Sequence, residues 1–117
     1  MRAVQITDHS GTPKLAQLDR PTPQSGEVLV KIAACGLNFA DLLMSQGKYQ
    51  ERPALPTILG MEPAGRIEAL GSDVGSLKLG DRIAVFSGQN GLADYGVFAA
   101  NRCVPLPDNM DFVDAAA

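Results

Sequence analysis

Residues 33 to 49, Ala33-Ala34-Cys35-Gly36-Leu37-Asn38-Phe39-Ala40-Asp41-Leu42-Leu43-Met44-Ser45-Gln46-Gly47-Lys48-Tyr49, read as a strand that ends, turns at Gly36 and opens a short helix from Asn38 to Gln46. Phe39, Leu42, Leu43 and Gln46 fall at i, i+3, i+4 and i+7, which makes one helical face mostly apolar. Gly47 follows as a left-handed stop. Asn38 has two readings. It caps the helix, with Asp41 at the third position returning the hydrogen bond, or its amide points into a cleft and binds a polar ligand.

Upstream, Glu27 to Cys35 is the strongest strand. Val28, Val30 and Ile32 share one face, and Leu29, Lys31 and Ala33 share the other. Ala3 to Ile6 and Lys14 to Leu18, separated by the turn-rich Asp8 to Pro13, suggest an N-terminal hairpin. Downstream, Gly47 to Met61 shows little periodicity and has the length of a binding loop. Gly65 to Leu70, Arg82 to Phe86, Tyr95 to Ala99 and Arg102 to Pro105 read as further strands. Asp111 is a plausible cap for a last helix within Met110 to Ala117. Short strands separated by frequent turn signals describe a mainly β barrel or sandwich. The last helix has no stop signal, so the chain is expected to be the front part of something longer.

Hydrophobic residues make up 45% of the 117 and charged residues 20%, as in a soluble globular domain. With no Trp and few aromatics, the core is expected to use Val, Ile, Leu and Ala. A net charge of −3 without a basic run speaks against nucleic acid or an anionic membrane as partner. No apolar run approaches the roughly 20 residues of a membrane span. The N-terminus lacks the apolar segment of a signal peptide. Two distant cysteines, Cys35 and Cys103, suggest free thiols in a reducing, cytoplasmic setting.

Cys35, Cys103 and the single His9 are too scattered for a zinc site. His9, in a turn beside Asp8, has no nucleophile motif to serve. There is no Gly-x-Gly and no phosphate loop, so no dinucleotide fingerprint lies in these residues. That leaves Asn38 with Asp41, Tyr49 in the loop after the helix, and Glu62 as a lone carboxylate near a strand start.

Gly36-Leu37-Asn38-Phe39-Ala40-Asp41, Gly47-Lys48-Tyr49, Leu59-Gly60-Met61-Glu62-Pro63-Ala64-Gly65, Lys78-Leu79-Gly80-Asp81-Arg82 and Phe112 to Ala117 together resemble the medium-chain dehydrogenase/reductase superfamily. The zinc-independent quinone oxidoreductase group is the best match. The resemblance implies a GroES-like partly open β-barrel over residues 1–117, the substrate-side domain of a two-domain enzyme. An NADPH-binding Rossmann domain would follow residue 117. It implies hydride transfer from NADPH to a quinone or activated enone, without zinc, in a full-length protein that is a homodimer. Asn38 and Tyr49 would line the cleft against nicotinamide and substrate, with Asp41 close behind and Glu62 supporting. In the zinc-binding branch the positions of Asn38 and Met61 hold a Cys and a His. Met61 also departs from the small polar residue more usual in the zinc-free branch, and a bulkier or more apolar substrate would suit it. Other readings are a free-standing GroES-like binding or assembly module and a zinc-type alcohol dehydrogenase.

Overall fold

The computed structural model describes residues 1–117. β1 (Arg2–Ile6) and β2 (Lys14–Gln17) form the expected antiparallel hairpin, in register from Arg2↔Gln17 to Gln5↔Lys14. β4 (Thr57–Ile58) pairs with the other edge of β1, giving a three-stranded sheet in the order β2-β1-β4. The stretch from Gly47 to Met61 therefore contains a strand that its sequence does not signal. Two residues are too few for alternation to show, and the partner strand is remote in sequence.

β3 (Glu27–Gly36) lies inside a second, five-stranded sheet with β5 (Glu62–Leu70), β6 (Arg82–Val85), β7 (Tyr95–Ala99) and β8 (Cys103–Pro105). The order is β7-β3-β5-β6-β8 and every pair is antiparallel. Register shifts at Leu29/Val30 and Ile32/Ala34 bulge β3 against β5, and such bulges bend a strand. Val28, Leu29 and Val30 are buried in succession, so both faces are covered there. Beyond them Lys31 and Ala33 are exposed, and the alternation of a one-sided sheet returns. Residues 92–94 join the two sheets. The Val4 N–H donates to the Leu92 carbonyl at 2.8 Å, the Asp94 N–H to the Arg2 carbonyl at 2.9 Å, and the Ile32 N–H to the Asp94 carbonyl at 2.9 Å. The result is a mainly β, partly open barrel, as expected. No helix is long and apolar enough to cross a membrane.

Two clusters fill it. Val28, Val30, Ile67, Ile83, Val85 and Phe98 pack within the five-stranded sheet. Ile6, Met44, Leu59 and Met61 pack between the three-stranded sheet and the helix α1 (Phe39–Ser45). The core is thus not only aliphatic, because Phe98 and two methionines take central places. Flexible thioethers fill an irregular junction between helix and sheet well.

The helix stands where the sequence places it, with Asn38 at the N-cap and Gly47 at φ +70° after it. Its buried side is a different one from the apolar stripe. Asp41, Met44 and Ser45 face inward, whereas Phe39 is 72% and Leu42 46% exposed. Hydrogen bonding rotates the helix against its own hydrophobic pattern, as the site shows. The short α2 (Phe112–Ala115), with Asp111 at its N-cap, packs on β3 and β5.

Candidate functional site

β3 and β5 end side by side, with Gly36 opposite Glu62 in the register. The chain then turns through Leu37 into Asn38. The Asn38 main-chain N–H donates to Asp41 Oδ2 at 2.9 Å, and the Asp41 N–H donates to the Asn38 main-chain carbonyl at 3.0 Å. This is a capping box in arrangement. The Asn38 amide oxygen is turned to the first turn of the helix, too loosely to close a cap hydrogen bond of its own. The amide nitrogen goes elsewhere, Nδ2 donating to Glu62 Oε2 at 3.3 Å. Asn38 therefore caps the helix by position while its side chain reaches across to the neighbouring strand.

Asp41 is 6% exposed. Its second oxygen, Oδ1, accepts the Gly60 N–H at 3.1 Å. One carboxylate thus ties the helix start to the loop that leads into Met61 and Glu62, and this is why the helix turns Asp41 inward. Gly60 sits at φ +106°, a conformation that L side chains rarely adopt. Ser87 supports the same loop, its N–H donating to the Met61 carbonyl at 2.9 Å.

The structure thus brings Asn38, Asp41 and Glu62 into one hydrogen-bonded run. Tyr49 is half-buried and packs against the Met44, Leu59 and Met61 cluster. Leu59 also lines, with Val4, Leu37, Asn38, Asp41 and Leu42, a hollow of about 300 Å³. Glu62 lines a second hollow of about 180 Å³ with Ala84, Val85, Phe86, Val104 and Ala115. The Asn38–Glu62 hydrogen bond joins the rims of the two. A larger hollow of about 510 Å³, against Gly26, Val74, Leu77 and Cys103, contains none of these residues. Met61 is buried with Ile6, Met44 and Leu59, so its side chain props the site from within.

For three further residues the sequence did not disclose the part they play. Gly36 has no room for a side chain, since a Cβ would lie 2.9 Å from Glu62 Oε2 and collide with the Ala116 carbonyl. Gly91 lies against Cys35, where a Cβ would stand 2.7 Å from Sγ. Cys35 borders the site: burial pushes its thiol up to about 11, the Glu62 main-chain N–H opposes that rise, and the Asp41 and Glu62 charges add to it. Burial alone pushes Cys103 up to about 11. The glycines were visible in the sequence, but what they approach was not.

No three His, Cys, Asp or Glu side chains come together in a group that could hold a metal. At the two positions where the zinc branch carries ligands, an amide is hydrogen-bonded to a carboxylate and a thioether is sealed in a core cluster. This donor set does not fit zinc.

Residues 24–108 match the family described as the alcohol dehydrogenase GroES-like domain. Quinone oxidoreductase of Rattus norvegicus is 38% identical over 122 residues, covering all of this chain and 37% of that protein. The crystal structure of the human synaptic vesicle membrane protein VAT-1 homolog-like protein superposes with a TM-score of 0.94 at 36% identity, over 99% of this chain and 38% of that one. Escherichia coli quinone oxidoreductase, solved in complex with NADPH, gives a TM-score of 0.94 at 29% identity, over 100% of this chain and 36% of that one. The chain spans about a third of the length of these relatives. From its corner motif to its barrel, the chain belongs to the alcohol dehydrogenase GroES-like domain family within the medium-chain dehydrogenase/reductase superfamily.

Proposed function

We propose that this chain is the substrate-side domain of an NADPH-dependent, zinc-independent oxidoreductase that reduces quinones or activated enones. The observation that carries the reading is the Glu62–Asn38–Asp41 run, which presents an amide where a metal-binding branch needs a thiolate. Relatives called quinone oxidoreductase that align over the whole chain support it, as does an NADPH complex among them. A nicotinamide cofactor supplies the hydride. Asn38 and Tyr49 face it and the substrate, and their amide and phenol donors hold the substrate carbonyl oxygen and stabilise negative charge developing there. Asp41 fixes the helix start that carries Asn38. Glu62 holds the amide.

The remaining two thirds of such an enzyme contribute a Rossmann domain that grips NADPH, and dimerisation runs through that domain. The protein acts on a small molecule in the cytoplasm.

The test is the oxidation of NADPH by a simple quinone in the full-length enzyme, followed by loss of reduced-nicotinamide absorbance. Asn38→Ala and Tyr49→Phe lower kcat/KM by about 10- to 100-fold, a larger effect than their loss of stability. If both variants lower only the melting temperature, capping and packing are their whole role. The isolated chain binds NADPH weakly; sub-micromolar affinity would show that the cofactor is held here instead.

A further inference from the structure

A primary amide has two orientations of similar shape that differ in which edge donates. At residue 38 something selects between them. Glu62 Oε2 faces the amide, and an ionised carboxylate only accepts hydrogen bonds. The nitrogen must therefore point to Glu62, because the flipped amide would set Oδ1 against a carboxylate oxygen. Asn38 Oδ1 is turned to the helix start. One N–H is spent on Glu62, so the second N–H is the group left for a ligand.

Glu62 is well placed to make this choice. It is half-buried, and the one ion pair in the chain, Arg2–Asp94, does not involve it. Its carboxylate occupies the slot left by the missing side chain of Gly36, beneath the end of α2. The other ionisable groups bordering the corner are Asp41, which holds main-chain N–H groups, and the Cys35 thiol. Neither is hydrogen-bonded to the Asn38 amide.

We infer that Glu62 is the positioning residue that locks the Asn38 amide as a hydrogen-bond donor toward the ligand cleft. This selects ligands that present an acceptor, such as the carbonyl oxygen of a quinone or enone, over those that present a hydroxyl donor alone. The inference rests on the proposed function for the identity of the ligand, but the orientation itself is a property of this chain.

Two arms test it. In the nitrogen-15-labelled chain, the Asn38 side-chain amide, assigned by its loss in Asn38→Asp, gives two well-separated and slowly exchanging proton signals. Glu62→Ala brings them together and speeds their exchange, while the backbone spectrum stays folded. Unchanged Asn38 signals in Glu62→Ala would overturn the inference. The second arm uses an exchange of partners. Asn38→Asp alone sets two carboxylates against each other and lowers the melting temperature. Adding Glu62→Gln restores a hydrogen bond with donor and acceptor reversed, and recovers the melting temperature. In the full-length enzyme the double variant stays about 10-fold or more below wild type in kcat/KM, because residue 38 then offers only acceptors. Recovery of activity together with stability would reduce Glu62 to a structural partner and refute the donor assignment. If the wild-type enzyme reduces no quinone, the proposed function fails, while the amide signals still decide the orientation.

Discussion

Changing Asp41 to Asn alters the side chain by almost nothing in shape and removes one of two acceptor oxygens. Both oxygens are in use, Oδ2 for the Asn38 N–H at 2.9 Å and Oδ1 for the Gly60 N–H at 3.1 Å. The residue is 6% exposed and Gly60 is buried, so water cannot replace the lost partner at the loop. An Asn at 41 can serve one donor with its carbonyl and must turn its own NH₂ toward the other. A hydrogen bond to a charged group contributes about 1.5–3 kcal/mol, and an orphaned buried N–H costs about 1–3 kcal/mol. Counting the lost charge at the part-buried cap as the smaller share, Asp41→Asn is expected to cost about 2–4 kcal/mol. At about 4 °C per kcal/mol for a domain of this size, the melting temperature falls by about 8–16 °C. The chain has no Trp, so urea and thermal unfolding are followed by circular dichroism. Amide exchange adds a local readout, with the Gly60 N–H losing protection more than amides in β3. A loss below about 0.5 kcal/mol, the size of an ordinary surface substitution, with Gly60 still protected, would refute the claim that one carboxylate ties the helix to the loop.

The buried side of α1 makes a second contrast: Met44→Ala is expected to cost about 2–5 kcal/mol, and Phe39→Ser or Leu42→Ser less than about 0.5 kcal/mol, by the same unfolding assay. The reverse ranking would restore the apolar stripe as the packed face. Gly91→Ala places a methyl 2.7 Å from Cys35 Sγ and 2.9 Å from the Gly60 carbonyl oxygen. It is expected to cost about 1–3 kcal/mol, and adding Cys35→Ala recovers only part, since the carbonyl remains. The two thiols are pushed from 9.0 up to about 11, mainly by burial. The folded chain keeps protons that the unfolded chain releases, so their contribution to stability is whole below about pH 9 and is lost as the pH rises through about 11. Urea midpoints should fall across that range in the wild type and fall less in a Cys35→Ala, Cys103→Ala double variant.

The hairpin β1–β2, the long β3, the helix start at Asn38 and its stop at Gly47 were legible because each rests on local chemistry: alternation, turn residues, a cap and a glycine. β4 was not, because a two-residue strand exists only through its pairing with β1. The inward face of α1 was not legible for a related reason. Its hydrophobic pattern favours Phe39 and Leu42, but the tether from Asp41 to Gly60 decides the rotation. In the candidate site, Asn38, Asp41, Tyr49 and Glu62 could be picked out by their residue types and by resemblance. That Asn38 and Glu62 are hydrogen-bonded could not, since 24 residues separate them and only the β3–β5 register brings Gly36 opposite Glu62.

The sequence by itself determined a mainly β chain with one short central helix, and a corner carrying polar side chains. Tertiary structure alone decided which way those side chains point. Periodicity and capping act over a few residues, whereas an amide is oriented by whatever acceptor the fold sets beside it. At Asn38 that acceptor is the carboxylate of Glu62, carried by a different strand.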